Sequence, residues 1–136
     1  MSYRSFFRHI YIFKPKWFEK FKFLPDLTFF DYDISVDGTN AILKLTVTNI
    51  GKRKSGETYV YFNAIDTTPP PGKNEVRIQH IKDLPPLDPN QKHSYDFKLT
   101  LLQINDNQIN KIDVLIDPKN LVREINENNN ILILGG

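Results

Sequence analysis

Cysteine is absent from the 136-residue chain, which excludes disulfides, thiolate metal sites and thiol nucleophiles. A chain without disulfides is compatible with any redox compartment, so this absence does not locate it. Glycine is scarce, with six residues in all, and none lies in a phosphate-cradling loop or in the Gly-x-Ser-x-Gly turn that presents a serine nucleophile. None of the three histidines, His9, His80 and His93, has a partner at metal-ligand spacing. No apolar run approaches the roughly 18–20 residues of a membrane-spanning helix. The amino-terminal residues do not read as a secretory leader, because Arg8, His9, Lys14 and Lys16 interrupt the apolar runs and no small-residue cleavage site comes after them. Carboxylates are plentiful, but none sits in an apolar context that would tune an acid–base pair. The expectation is a chain that is not an enzyme, with no catalytic residues and no cofactor.

What is present is unevenly distributed. The first 24 residues carry Arg4, Arg8, Lys14, Lys16, Lys20 and Lys22 against the single acid Glu19, and nine of the 17 aromatic residues. The remaining residues hold 12 bases and 15 acids. A mildly acidic domain lacks the basic face that phosphate binding needs, so nucleic acid is not the expected partner. The boundary divides the chain into an aromatic-basic extension over 1–24 and a domain over 25–136. Pro15 and Pro25 bracket a stretch able to form a short helix, on which Trp17, Phe18, Phe21 and Leu24 share a face. Phe6, Phe7, Tyr11, Phe13, Trp17, Phe18 and Phe21 are the interaction candidates. They are expected to pack on the domain or on another chain, including a homo-oligomer built through residues 1–24. The alternative is a peripheral contact with a membrane surface, where rings and lysines lie together in the lipid interface.

From Leu27 onward the period of the apolar residues changes to two. Leu27–Val36 reads as a strand ending at the turn signal Asp37-Gly38. Ala41, Leu43, Leu45 and Val47 then alternate with Lys44, Thr46 and Thr48, the pattern of a half-buried strand. Further strands are expected over Thr58–Ile65, Glu75–Ile81, Tyr95–Leu101, Ile112–Ile116 and Ile131–Leu134. Two proline-rich connections, Asp66–Asn74 and Leu84–Asn90, separate them. Seven short strands joined by links too short for crossover helices predict an all-β, antiparallel β-sandwich. Within the first strand, Asp31, Asp33, Ser35 and Asp37 superficially look like a calcium loop. The glycine comes too late, however, and Ile42 stands where a bidentate glutamate is required.

Several short motifs fall in a recognisable order. They are Pro25-Asp26-Leu27; Val47-Thr48-Asn49-Ile50-Gly51, with Ser55-Gly56 behind it; Leu87-Asp88-Pro89-Asn90; and the closing stretch Asp117–Asn130, which contains Asn120, Val122, Glu124, Asn126, Glu127, Asn128 and Asn129. Together these resemble the CARDB family, the cell adhesion related domain found in bacteria, over about residues 25–134. Asn90 departs from the family pattern, where glycine is usual, but Asn also tolerates left-handed backbone. The family pattern does not explain the aromatic-basic extension. The resemblance implies a seven-stranded immunoglobulin-like or fibronectin-like sandwich. It also implies a surface or secreted bacterial or archaeal protein, with an adhesion or spacer role and a protein or cell-surface partner. In the closing stretch, Asp117 and Asn120 are expected to bond their own backbone two residues on, as in Asx-turns, and so reverse the chain. The rival reading of the same residues is a calcium site formed by Asp117, Asn120, Glu124 and Glu127.

Overall fold

The computed structural model describes residues 23–122, 124 and 130–135. Among these, the alternating stretches form seven strands and one short helix: β1 (Leu27–Asp37), β2 (Asn40–Asn49), β3 (Thr58–Ile65), β4 (Val76–Leu84), β5 (Lys92–Thr100), α1 (Leu101–Asp106), β6 (Lys111–Ile116) and β7 (Ile131–Gly135). They pair into a three-stranded sheet in the order β1-β2-β5 and a four-stranded sheet in the order β4-β3-β6-β7. Every pairing is antiparallel. The expected sandwich is therefore the observed architecture.

Alternation decides which face of each sheet is buried. Leu43 and Leu45 on β2 stand opposite Phe97 and Tyr95 on β5, and all four are buried. Val60, Phe62 and Ala64 of β3 and Val114 and Ile116 of β6 face them from the second sheet, completing one core cluster. At its centre the Phe62 ring stacks on Phe97 with centroids 5.0 Å apart and meets Tyr95 edge-on at 5.8 Å. His80 and His93 pack edge-on against Phe97 and Tyr95, each at 4.9 Å, so both imidazoles line the rim of the core.

Two local departures from the sequence reading have clear causes. The alternation through Tyr95, Phe97 and Leu99 stops at Thr100, and Leu101 opens α1 instead of continuing the strand. Thr100 Oγ1 accepts from the Gln103 N–H at 3.0 Å while Gln103 Oε1 accepts from the Thr100 N–H at 2.9 Å. This reciprocal cap stabilises a helical turn where the apolar pattern alone favours strand. In β1, a bulge between Phe29 and Asp31 leaves Phe30 out of register. The extra residue reverses the parity of the rest of the strand. Past the bulge Asp31, Asp33 and Asp37 point outward as expected, while Tyr32, Ile34 and Val36 stand opposite Leu45, Leu43 and Ala41 on the core side of the sheet.

Phe62 is fully buried between both sheets, so Phe62→Ala is expected to destabilise the fold by about 3–5 kcal/mol. Urea denaturation measures this; a loss below about 1 kcal/mol, the level of a surface change, would contradict the packing described.

Candidate interaction surface

The pole where the chain enters β1 is held by polar bonds. Asn49, at the end of β2 and fully buried, uses its whole side-chain amide. Its Oδ1 accepts from the Asp26 N–H at 3.0 Å and the Gly51 N–H at 2.9 Å. Its Nδ2 donates to the Arg53 carbonyl at 2.8 Å and the Leu87 carbonyl at 2.9 Å. Gly51 is required beside it, because a Cβ there would lie 2.5 Å from the Leu24 carbonyl oxygen. The buried Ser55 hydroxyl accepts from the Leu87 N–H at 2.9 Å, and Asn90 adopts a left-handed φ of 67° as its N–H reaches the Asn49 carbonyl. The Asn-x-Gly, Ser and Asn90 positions of the sequence motifs thus converge on one backbone junction.

The closing stretch joins the same pole. Asp117 has a left-handed φ of 51° and Asn120 one of 53°. Asp117 Oδ1 accepts from the Thr58 hydroxyl at 2.6 Å and the Leu121 N–H at 2.7 Å, and Oδ2 accepts from the Val122 N–H at 2.9 Å. The turn is therefore capped four and five residues on, a wider reach than an Asx-turn. Glu124 is buried; its Oε2 accepts from the Leu27 N–H at 2.6 Å and its Oε1 from the Asn130 amide at 2.8 Å. That carboxylate ties the last loop to the first residue of β1. Asp117 and Glu124 thus bond to different segments. Glu127, the remaining acid of the rival calcium reading, lies outside the described residues, as do Asn126, Asn128 and Asn129. Among the described residues, no three His, Asp or Glu side chains come together as ion ligands.

The interaction candidates Phe6, Phe7, Tyr11, Phe13, Trp17, Phe18 and Phe21 also lie outside the described residues. The described part carries a contact face of its own. Strand register places Ile81 opposite Tyr61, Tyr61 opposite Leu115, and Leu115 opposite Ile131, all on the outer face of the four-stranded sheet. Ile81 is 52% exposed and Ile131 56% exposed at the two ends of this row, and Tyr59 and Ile133 extend it. The sequence carries a signal for this stripe. Four consecutive apolar residues, Ile131–Leu134, cannot all face inward in a strand, and Leu115 breaks the polar side of β6.

Tyr95 is the described residue with the clearest electrostatic displacement. Burial, with the Asp83 charge second, pushes its phenol above the usual tyrosine range, and its hydroxyl donates to the Asp83 carbonyl at 2.8 Å.

Two antiparallel sheets of three and four strands, packed around one apolar core and carrying no assembled ligand cluster among the described residues, define an immunoglobulin-like β-sandwich module. The CARDB family model matches residues 24–133, and the chain belongs to the CARDB family. The chain is similar to the CARDB domain of the PF1109 protein from Pyrococcus furiosus, whose crystal structure is in complex with di-metal ions. Identity is 23%, covering 82% of this chain and 85% of that one, with a TM-score of 0.57. The solution NMR structure of the same domain gives 22% identity, 82% and 92% coverage and a TM-score of 0.56. At these identities the likeness speaks for the fold. No curated protein matches the chain. The family is one of non-catalytic modules, and its name points to interaction.

Asn49→Ala would remove four hydrogen bonds from the buried junction, at about 1–3 kcal/mol for each group left unpaired. We expect a loss of at least about 3 kcal/mol by urea denaturation, and a comparable loss in Gly51→Ala; near-native stability in either would refute the junction. The Tyr95 shift sets a second expectation. Its pKa in the folded state lies above the unfolded value of about 10, so the stabilisation is complete below that pH and is lost as pH rises past it. Tyr95→Phe is expected to flatten the alkaline fall in stability, measured as urea midpoints above about pH 10; an unchanged slope would contradict it.

Proposed function

We propose that this chain is a non-catalytic protein-contact module of the cell surface. Its contact face is the outer side of the four-stranded sheet. The observation that carries this reading is the cross-strand row Ile81–Tyr61–Leu115–Ile131, whose ends are more than half exposed. Single exposed apolar residues are ordinary, but a contiguous row across four strands is a surface that a partner covers. Tyrosine among aliphatic neighbours adds a large, stiff contact with a polar tip, as at the centre of protein interfaces. A protein partner is favoured over lipid because this row lacks flanking lysines in register: Gln79, Asn63, Asp113 and Asp83 border it instead.

The test is binding of the labelled chain to cell envelopes, compared with the double variant L115R/I131R. Leu115 and Ile131 point outward, so the variant is expected to keep the wild-type circular dichroism spectrum. Saturable binding that disappears after protease treatment of the envelopes, and falls at least tenfold in the variant, supports the reading; tenfold corresponds to about 1.4 kcal/mol. Equal binding by both proteins, or undiminished binding to protein-free lipid vesicles, would sink it.

The proposal extends to metal. The carboxylates of Asp117 and Glu124 already accept backbone and side-chain hydrogen bonds that close the fold. A ligand at 100 times its Kd would add about 2.7 kcal/mol of stability. We expect the thermal midpoint to stay the same with excess calcium or with EDTA, and a clear rise on adding calcium would overturn this.

A further inference from the structure

The two sheets are unequal, and the three-stranded one leaves an apolar gap along one side of the sandwich. Tyr32, Ile34 and Val36 face the core side of their sheet, opposite Leu45, Leu43 and Ala41, yet they are 50%, 53% and 65% exposed. On the opposite sheet Leu132 and Leu134 of β7 face inward, opposite Val114 and Ile112, and are only partly buried. Between these edges runs a groove of about 310 Å³, lined by Ile34, Leu43, Phe97, Ile104, Ile109 and Leu134 among others. These are residue types that a sandwich normally closes over. Among the described residues β1 and β7 are each the end strand of their sheet, and they flank the groove.

We propose that this groove receives the chain's own amino-terminal segment, through the run Ile10-Tyr11-Ile12-Phe13. Three observations favour this occupant. The first is chemistry. The run alternates β-branched residues with rings, the composition that suits a pleated apolar surface. An apolar cavity of about 150 Å³ holds one benzene ring, so the groove takes about two rings, and Tyr11 and Phe13 supply two. The second is reach. The segment runs directly into β1, and Ile34 lies seven residues along that strand from Leu27, roughly 23 Å at the usual strand rise. From Phe13 to Leu27 the chain spans roughly 28 Å even with a helix between Pro15 and Pro25, and more without one. The third is charge. Arg8, His9, Lys14 and Lys16 flank the run, and the exposed Asp31, Asp33 and Asp37 stand on the outer face of β1, the edge strand that borders the groove. The outer stripe Ile81–Tyr61–Leu115–Ile131 lies on the opposite face of the second sheet, so the groove and the proposed partner face are separate surfaces.

Trp17 is the chain's single tryptophan, which allows the reporter to be moved into the run. In the full chain carrying F13W and W17F, the indole at position 13 is expected to emit as a buried ring. It should also resist acrylamide severalfold better than the same indole in a peptide of residues 1–22. Adding Ile34→Asp should release it, shifting emission to the red and raising quenching to the peptide's level. Ile34 is half exposed on an edge strand, so the fold is expected to survive, as circular dichroism will show; Ile34→Gln serves if the aspartate variant unfolds. Ile131→Arg, on the far face, should leave the emission unchanged, so failure here is separable from failure of the partner-face reading. A solvent-exposed indole in the starting protein overturns the proposal, and so does a buried one indifferent to both Ile34 variants. Burial that grows with protein concentration alongside dimer mass in sedimentation also overturns it, in favour of a second copy. Burial that appears only with phosphatidylglycerol–phosphatidylcholine vesicles overturns it in favour of lipid contact.

Discussion

The amide of Asn49 is the constraint on which one whole end of the sandwich depends. Its two acceptor and two donor positions are filled by four backbone groups from Asp26, Gly51, Arg53 and Leu87. Those groups belong to the lead into β1, the β2–β3 turn and the β4–β5 link. A residue buried with all its bonds made fixes one arrangement, because any displacement leaves a polar group without water or partner. Glu124 works by the same logic from the other end of the sequence, holding the Leu27 N–H across 97 positions of chain. Polar bonds therefore specify this pole, and the apolar core fills the space they define.

That division accounts for what the sequence made legible. The alternation of β2 was readable because one of its faces is buried over most of its length, and a period of two has only one such solution. The Asn-x-Gly and Asp–Asn motifs were readable for a different reason. Their residue types are dictated by backbone geometry: a close approach at Gly51 and left-handed φ values at Asn90, Asp117 and Asn120. The helix α1 was legible in the Thr100–Gln103 spacing, but the apolar alternation running up to it outweighed that local signal.

The site was less legible than the fold. Tyr32, Ile34 and Val36 carry the pattern of a buried face, and only the number of strands opposite decides whether anything covers them. The bulge at Phe30 made the matter harder, since it moves Asp31 off the face that Leu27 and Phe29 occupy. Lys92 stands over the displaced Phe30 ring at 4.1 Å, a contact between β5 and β1 that no local pattern announces. Glu124 likewise looks like an ordinary surface acid in sequence. Its burial goes with a bond to the Leu27 N–H, 97 positions away in the chain.

The direction of the two flanking strands has a mechanical consequence. β1 starts at the Asn49 pole and β7 finishes at the opposite one, where Gly135 sits beside Asn110. A pull on the two ends of the described domain is thus directed along both strands. The β1–β2 ladder is stretched in parallel over its full length and yields only when many of its bonds slide together, whereas a hinge-like load would open them singly.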